Sequence, residues 1–155
     1  MSVEEKSFAT IPFLFKTRTA SLTVGFVILN SFAKWLTLQN SFLFWENQEL
    51  SSNGHKAKVK FEITNQKREA NVWVTWVVRN IGEGVLGHAH IGKGVVEVTL
   101  GDYNCDGKFE LYDVKTVEKI MTHELGHSIG LEHVSDPNSI MYTSLKPNYA
   151  YCLLG

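Results

Sequence analysis

Residues 123–133 read HELGHSIGLEH. His123 and His127 stand four apart, so on a helix their imidazoles project side by side and can share one ion. Gly130 lets the chain turn sharply, and His133 then returns to supply a third nitrogen. Three neutral imidazoles leave the fourth position of a zinc ion to water, the arrangement of a catalytic rather than a closed structural site. Glu124 reaches that water but not easily the metal. Zinc lowers the pKa of water from about 15.7 toward about 7, and a neighbouring carboxylate takes the proton as the water attacks a carbonyl. Surface histidines on an ordinary helix are the plainer alternative. Five fixed positions, each at roughly one in twenty, would arise by chance in about one chain of this length in 20,000. Zinc is therefore the expected cofactor, with His123, His127 and His133 as ligands and Glu124 as general base.

The motif needs a helix beneath it. Val114, Val117, Met121 and Leu125 recur at three- and four-residue steps and predict a helix from about Val114 to Ile129. That places His123 and His127 on roughly the opposite side, so one face can pack on a sheet while the other looks into a cleft. Before it, residues 102–113 read DYNCDGKFELYD. Asp102, Asn104, Asp106, Glu110 and Asp113 occupy positions 1, 3, 5, 9 and 12 of an EF-hand-type calcium loop, with Gly107 at position 6 and Asp in place of Glu at the last. The alternative is a polar turn in which Asp113 caps the helix.

Farther upstream the periodicity changes. Leu22, Phe26, Leu29, Phe32, Trp35 and Leu36 follow helical spacing and predict an amphipathic helix over about 21–38, with Phe42, Phe44 and Trp45 continuing it or starting a strand. SSNGHK (51–56) reads as loop. Val59, Phe61 and Ile63 alternate with charged residues as in a half-buried strand, and NQKRE (65–69) is a polar turn. NVWVTWVV (71–78) predicts a strand buried on both faces. The glycine-punctuated stretch 82–94 is extended but irregular, and VVEVTL (95–100) alternates again. The order of helix, strands and helix is α+β around one twisted sheet.

Composition excludes several functions. Fifteen basic residues against sixteen acidic leave a net charge of −1, which provides no basic field for nucleic acid. Disorder is incompatible with 44% hydrophobic and 12% aromatic content. The apolar stretch 20–38 is broken by Asn30, Ser31 and Lys34, whereas a bilayer span needs about 20 apolar residues. The first residues, MSVEEKSF, are acidic where a signal peptide would be basic.

His133 is followed after five residues by SIMY (139–142), and HExxHxxGxxH with a downstream methionine turn resembles the metzincin metallopeptidases. His133 to Tyr142, HVSDPNSIMY, is similar to the matrixin branch, that of the matrix metalloproteinases. The resemblance is strongest over 70–150 and implies a single metallopeptidase catalytic domain over 1–155. Its fold would be zincin-like: a twisted, mainly parallel mixed sheet, two principal helices and a C-terminal Met-turn. In that family Met141 would form the base beneath the metal, with Gly130 at the turn, and Tyr142 through Tyr149 would wall a substrate pocket. Val85–His90, VLGHAH, resembles the edge strand that pairs with extended peptide, making Leu86, Gly87, His88 and Ala89 substrate-binding. The family's histidine at His88 helps bind a second, structural zinc, whose other ligands are not evident here. His88 and His90 share a strand face, and a solvent-facing or substrate-lining role is the alternative.

Three features depart from the family: Val134 in place of serine, too few residues after Tyr142 for a full C-terminal helix, and no cysteine-switch propeptide. A trimmed catalytic domain is the expectation. Cys105 lies before the catalytic helix and Cys152 shortly after the Met-turn that returns to it, so a structural disulfide is expected, worth about 4 kcal/mol on a chain-entropy estimate. Two separate thiols, or Cys152 as a zinc ligand, are the alternatives.

The resemblance implies a zinc metalloendopeptidase, with zinc and in one reading calcium as cofactors. It also implies a peptide or protein substrate, a monomer, and an extracellular or cell-surface location. A catalytically silent, metal-stabilised peptide-binding module is the second reading, and a zinc hydrolase acting on other bonds the third. Retention of Glu124 opposes the second, since a structural site needs no base.

Overall fold

A computed structural model describes residues 19–26, 32–52, 55–77, 86–103 and 107–143. The first described element is a strand, β1 (Thr19–Phe26), and not the start of a helix. The helix α1 begins six residues later and runs Phe32–Glu46. Helical steps from Leu22 to Leu36 therefore straddle a strand–helix junction. Beneath them lies a period of two, Ala20, Leu22, Val24 and Phe26 alternating with Thr19, Ser21, Thr23 and Gly25. Pairing decides between the two periods. β1 lies between β3 (His55–Thr64) and β4 (Val72–Val77), parallel to both, so its backbone groups are used on either side.

A short strand β2 (Leu50–Ser52) pairs antiparallel with the start of β3. Ser51 and Ser52 are accordingly paired with Lys56 and His55 as strand residues, where the sequence reads as loop, and residues 53–54 lie outside the described residues. β5 (Gly87–Ala89) and β6 (Gly94–Thr99) complete a six-stranded sheet of order β2-β3-β1-β4-β6-β5. Its β1–β3, β1–β4 and β4–β6 ladders are parallel and its two outer ladders antiparallel. This is the mainly parallel mixed sheet that the family resemblance implies. Within β4, Val72, Val74 and Trp76 are buried while Trp73, Thr75 and Val77 are only half-buried, so the strand has one core face and not two. Lys67 lies over the Trp73 ring on the less buried side. In β3, Val59 and Phe61 are buried but Ile63 is exposed.

α1 packs by a different face from the predicted one. Trp35 and Leu36 are exposed, whereas Leu38, Phe42 and Trp45 enter the core with Thr37 and Ser41. Phe42 stacks on Phe61 of β3 at 4.5 Å. A small hairpin, β7 (Gly101–Tyr103) with β8 (Phe109–Leu111), leads into the second helix, α2 (Val114–Ser128). α2 packs against α1, β5 and β6. Among the described residues no helix is long and apolar enough to cross a membrane.

Candidate metal centre

α2 starts where Asp113 caps it. The Asp113 carboxylate accepts from the Thr116 backbone N–H at 3.0 Å and from its hydroxyl at 2.7 Å. These bonds hold its pKa below the usual carboxylate range. Of the calcium-loop residues, Asp102 and Glu110 stand opposite one another across the β7–β8 hairpin, Asp113 serves the helix, and Asn104 and Asp106 lie outside the described residues. The capped-turn alternative thus matches what Asp113 does.

α2 ends where glycine allows it. Gly130 takes φ of +92°, and the Gly130 and Leu131 N–H groups donate to the carbonyls of His127 and Gly126. This paired closure is the Schellman arrangement, open to glycine because it lacks a Cβ. The reversal carries His133 back to the helix. His133 Nε2 lies 3.1 Å from His123 Nε2 and 3.2 Å from His127 Nε2.

The outer nitrogens are already committed. His123 Nδ1 is 2.7 Å from the Ile140 carbonyl, and His127 Nδ1 is 2.7 Å from the Leu131 carbonyl. A carbonyl only accepts, so each Nδ1 carries the hydrogen and each Nε2 presents a lone pair inward. His133 Nε2 has at most one hydrogen to donate and so can satisfy only one of the two inward lone pairs, whereas a cation among the three nitrogens satisfies all of them. Tetrahedral corners around zinc are about 3.3 Å apart for Zn–N bonds of about 2.0–2.1 Å, so the separations found here fit the ion. Among the described residues this is the one group of three or more ligand side chains close enough to hold a metal.

Burial shapes the titration of the site. Desolvation lowers His123 to about 4 and also lowers His127, keeping both neutral as ligands must be. It raises Glu124 to about 8. Glu124 is buried beneath β5: a Cβ added to Gly87 would lie 2.5 Å from its Oε1. The expected cleft-facing side of α2 is also more enclosed than its periodicity implies. Every residue from Ile120 to Gly126 is buried, because the return through Met141 covers the side away from the apolar stripe, while Val114 on that stripe is exposed. Met141 lies in a turn, buried, its sulfur against Gly126.

β5 is an edge strand, as expected. The Thr99 N–H donates to Leu86 O and the His90 N–H to Val95 O, so the alternate residues Gly87 and Ala89 turn their backbone groups to the open edge. The loop beyond is tied to the metal helix by Gly92 N–H donating to His127 O at 3.1 Å. Leu86 does not line that edge; it is buried in the core. His88 and His90 do share a face, their rings 5.3 Å apart, with His88 Nδ1 3.9 Å from Glu97 Oε2. Tyr142 is half-buried and bridges to Val134, while Tyr149, Cys105 and Cys152 lie outside the described residues. Sequence reasoning missed the carbonyls of Ile140 and Leu131, which no side-chain pattern encodes. It also missed Trp45, whose indole N–H donates to Thr122 O at 2.7 Å.

A three-histidine centre on a helix that crosses a mixed sheet with an antiparallel edge strand defines a metzincin-like fold. The chain belongs to the matrixin family, whose profile matches residues 15–152. It is 29% identical over 139 residues to a probable matrix metalloproteinase of Invertebrate iridescent virus 3, covering 77% of this chain and 35% of that protein. It is 30% identical over 105 residues to Metalloendoproteinase 1 of Glycine max, covering 57% and 33%. The chain thus spans about a third of the length of these curated relatives. Among solved structures it is similar to myroilysin, with a TM-score of 0.48 and 15% identity over 74% of this chain and 49% of that one.

Proposed function

We propose that this chain carries the catalytic centre of a zinc-dependent endopeptidase that hydrolyses extended peptides. The observation that carries the reading is the convergence of three imidazole Nε2 atoms, two of them oriented by backbone carbonyls, with Glu124 buried at the next position on α2 after His123. His123, His127 and His133 would hold the ion. When bound, zinc supplies a Lewis acid that lowers the pKa of water toward about 7.

The chain's own groups do the rest. Glu124 follows the first ligand on α2 and accepts the proton of the attacking water at its carboxylate, then delivers it to the departing amine. Its burial excludes bulk water and supports a proton affinity near neutrality. Gly87 and Ala89 offer their N–H and C=O groups to a substrate strand laid along β5, which binds extended backbone irrespective of its side chains. Met141 acts as the floor beneath the histidines, and Tyr142 begins the wall of the pocket beyond the cleaved bond. Membership of the matrixin family and the names of the curated relatives support this reading, and with it an extracellular setting.

The test is incubation of the zinc-loaded chain with an unbiased peptide library and mass-spectrometric mapping of the cut bonds. Cleavage that a chelator abolishes and zinc restores is the expected result. Zinc uptake with no cut bond in any peptide would reject the enzymatic reading.

A further inference from the structure

We propose that Trp45 of α1 is a positioning residue for the three-histidine cluster, acting through α2; this rests on the metal-centre reading above. Trp45 is buried, and its Nε1–H donates to the Thr122 carbonyl at 2.7 Å. Thr122 immediately precedes His123. That carbonyl is an acceptor with two lone pairs, so it can take the indole hydrogen in addition to a helical one.

A second contact lies one turn on. A Cβ at Gly126 would fall 2.8 Å from Trp45 Cζ2 on one side and against Met141 Sδ on the other. Gly126 is therefore the point at which α2 is gripped between α1 and the turn that follows the third histidine. The residue before Met141 in that turn is Ile140, whose carbonyl orients His123. Rotation of α2 about its axis would part His123 from Ile140 and pull the indole N–H from Thr122 together.

The contact is directional because it ends a seam of buried hydroxyls. Thr122 Oγ1 donates within reach of both Ser41 Oγ, at 2.9 Å, and Glu118 O, at 2.7 Å. Ser41 Oγ lies 2.9 Å from Thr37 O, and Asn40 Nδ2 donates to Glu118 Oε2 at 2.8 Å. Close packing resists sliding of the two helices, and the buried polar partners add direction because they are satisfied at one axial setting. Ser41 meets the Thr122 side chain, whereas Trp45 bonds the main-chain carbonyl that leads into His123, so the setting it imposes reaches the cluster.

Zinc affinity separates positioning from packing. Trp45→Phe retains an aromatic ring and deletes the donor. Site-specific replacement of Trp45 by benzothienylalanine deletes the donor at nearly constant volume, should the phenylalanine variant fail to fold. Val59→Ala, on the buried face of β3, serves as a control that truncates the core away from α2. Zinc dissociation constants come from competition with a chromophoric chelator, and ligand geometry from the visible spectrum of the cobalt-loaded chain. Loss of the Trp45 donor is expected to weaken zinc binding about tenfold, the lower end for groups outside the ligand shell, and to alter the cobalt spectrum. Val59→Ala should lower the melting temperature and change neither. Folded Trp45 variants with unaltered zinc affinity and cobalt spectrum would overturn the proposal while leaving the metal centre intact. Failure of the unsubstituted chain to bind zinc would instead overturn both.

Discussion

At the scale of the residue, Glu124 decides most. Its carboxyl is buried against Gly87 of β5, and desolvation alone raises it from 4.5 to about 8. In the metal-free chain its folded value thus exceeds its unfolded one, so its contribution to stability is complete below pH 4.5 and is lost as pH rises through 8. His123 runs the other way, lowered from 6.5 to about 4, so its contribution is complete above 6.5 and lost as pH falls through 4. Above pH 6.5 only the Glu124 effect remains. The metal-free chain should lose about 2 kcal/mol between pH 6.5 and 8, and Glu124→Gln should not. Thermal melts of the two proteins across that interval check this, and parallel curves would mean that Glu124 is not desolvated. In the zinc-loaded chain Glu124→Ala should keep the metal and lose about 10² to 10⁴ in rate, the usual share of a general base. Metal analysis alongside initial rates separates that result from loss of the ion, which is the expected effect of His127→Ala.

At the scale of the element, α2 depends on its two ends. Both Asp113 oxygens serve Thr116 at the start. Asp113→Ala should cost about 1 kcal/mol, or about 2–4 °C in melting temperature. The same bonds bear on calcium, because an ion held by Asp113 would compete with them for the carboxylate oxygens. Equal melting temperatures in calcium and in a calcium chelator, with zinc held constant, are therefore expected. A rise following RT ln(1 + [Ca]/Kd) would mean that Asp113 surrenders its cap to the ion. At the other end Gly130 sits at φ of +92°, where a side chain is strained. Gly130→Ala should weaken zinc binding by displacing His133, a change read directly by chelator competition.

At the scale of the whole molecule, the sheet and the two helices form one packed core from Leu38 to Met141. Ile120 and Met121 are almost fully buried where α2 meets its neighbours. Ile120→Ala should cost about 2–5 kcal/mol, the range for a buried aliphatic truncation that leaves a cavity. Denaturant unfolding measures it, and a loss under 1 kcal/mol would mean that the site collapses without a void. The opposite boundary of the molecule is the open edge at β5. Gly92 ties the loop after that strand to His127, so the edge and α2 are linked through the main chain of a site histidine.

The chemistry of the centre was legible in the sequence because it resides in side chains at helical spacing within eleven residues, 123–133. Ligands four apart on a helix and a glycine at its end need no knowledge of distant contacts. Strands β3, β4 and β6 were legible for a similar reason, since alternation is local. β1 was not. Helical and alternating periods coexist over 19–36, and only pairing with β3 and β4 on both sides chose between them. The inward face of α1 was hidden by polarity, since Thr37 and Ser41 are buried there, with Ser41 accepting from the Thr122 hydroxyl across the helix interface and donating to the Thr37 carbonyl within α1. The groups that orient His123 and His127 are main-chain carbonyls, identical in every residue, and only the path of the chain brings them within 2.7 Å.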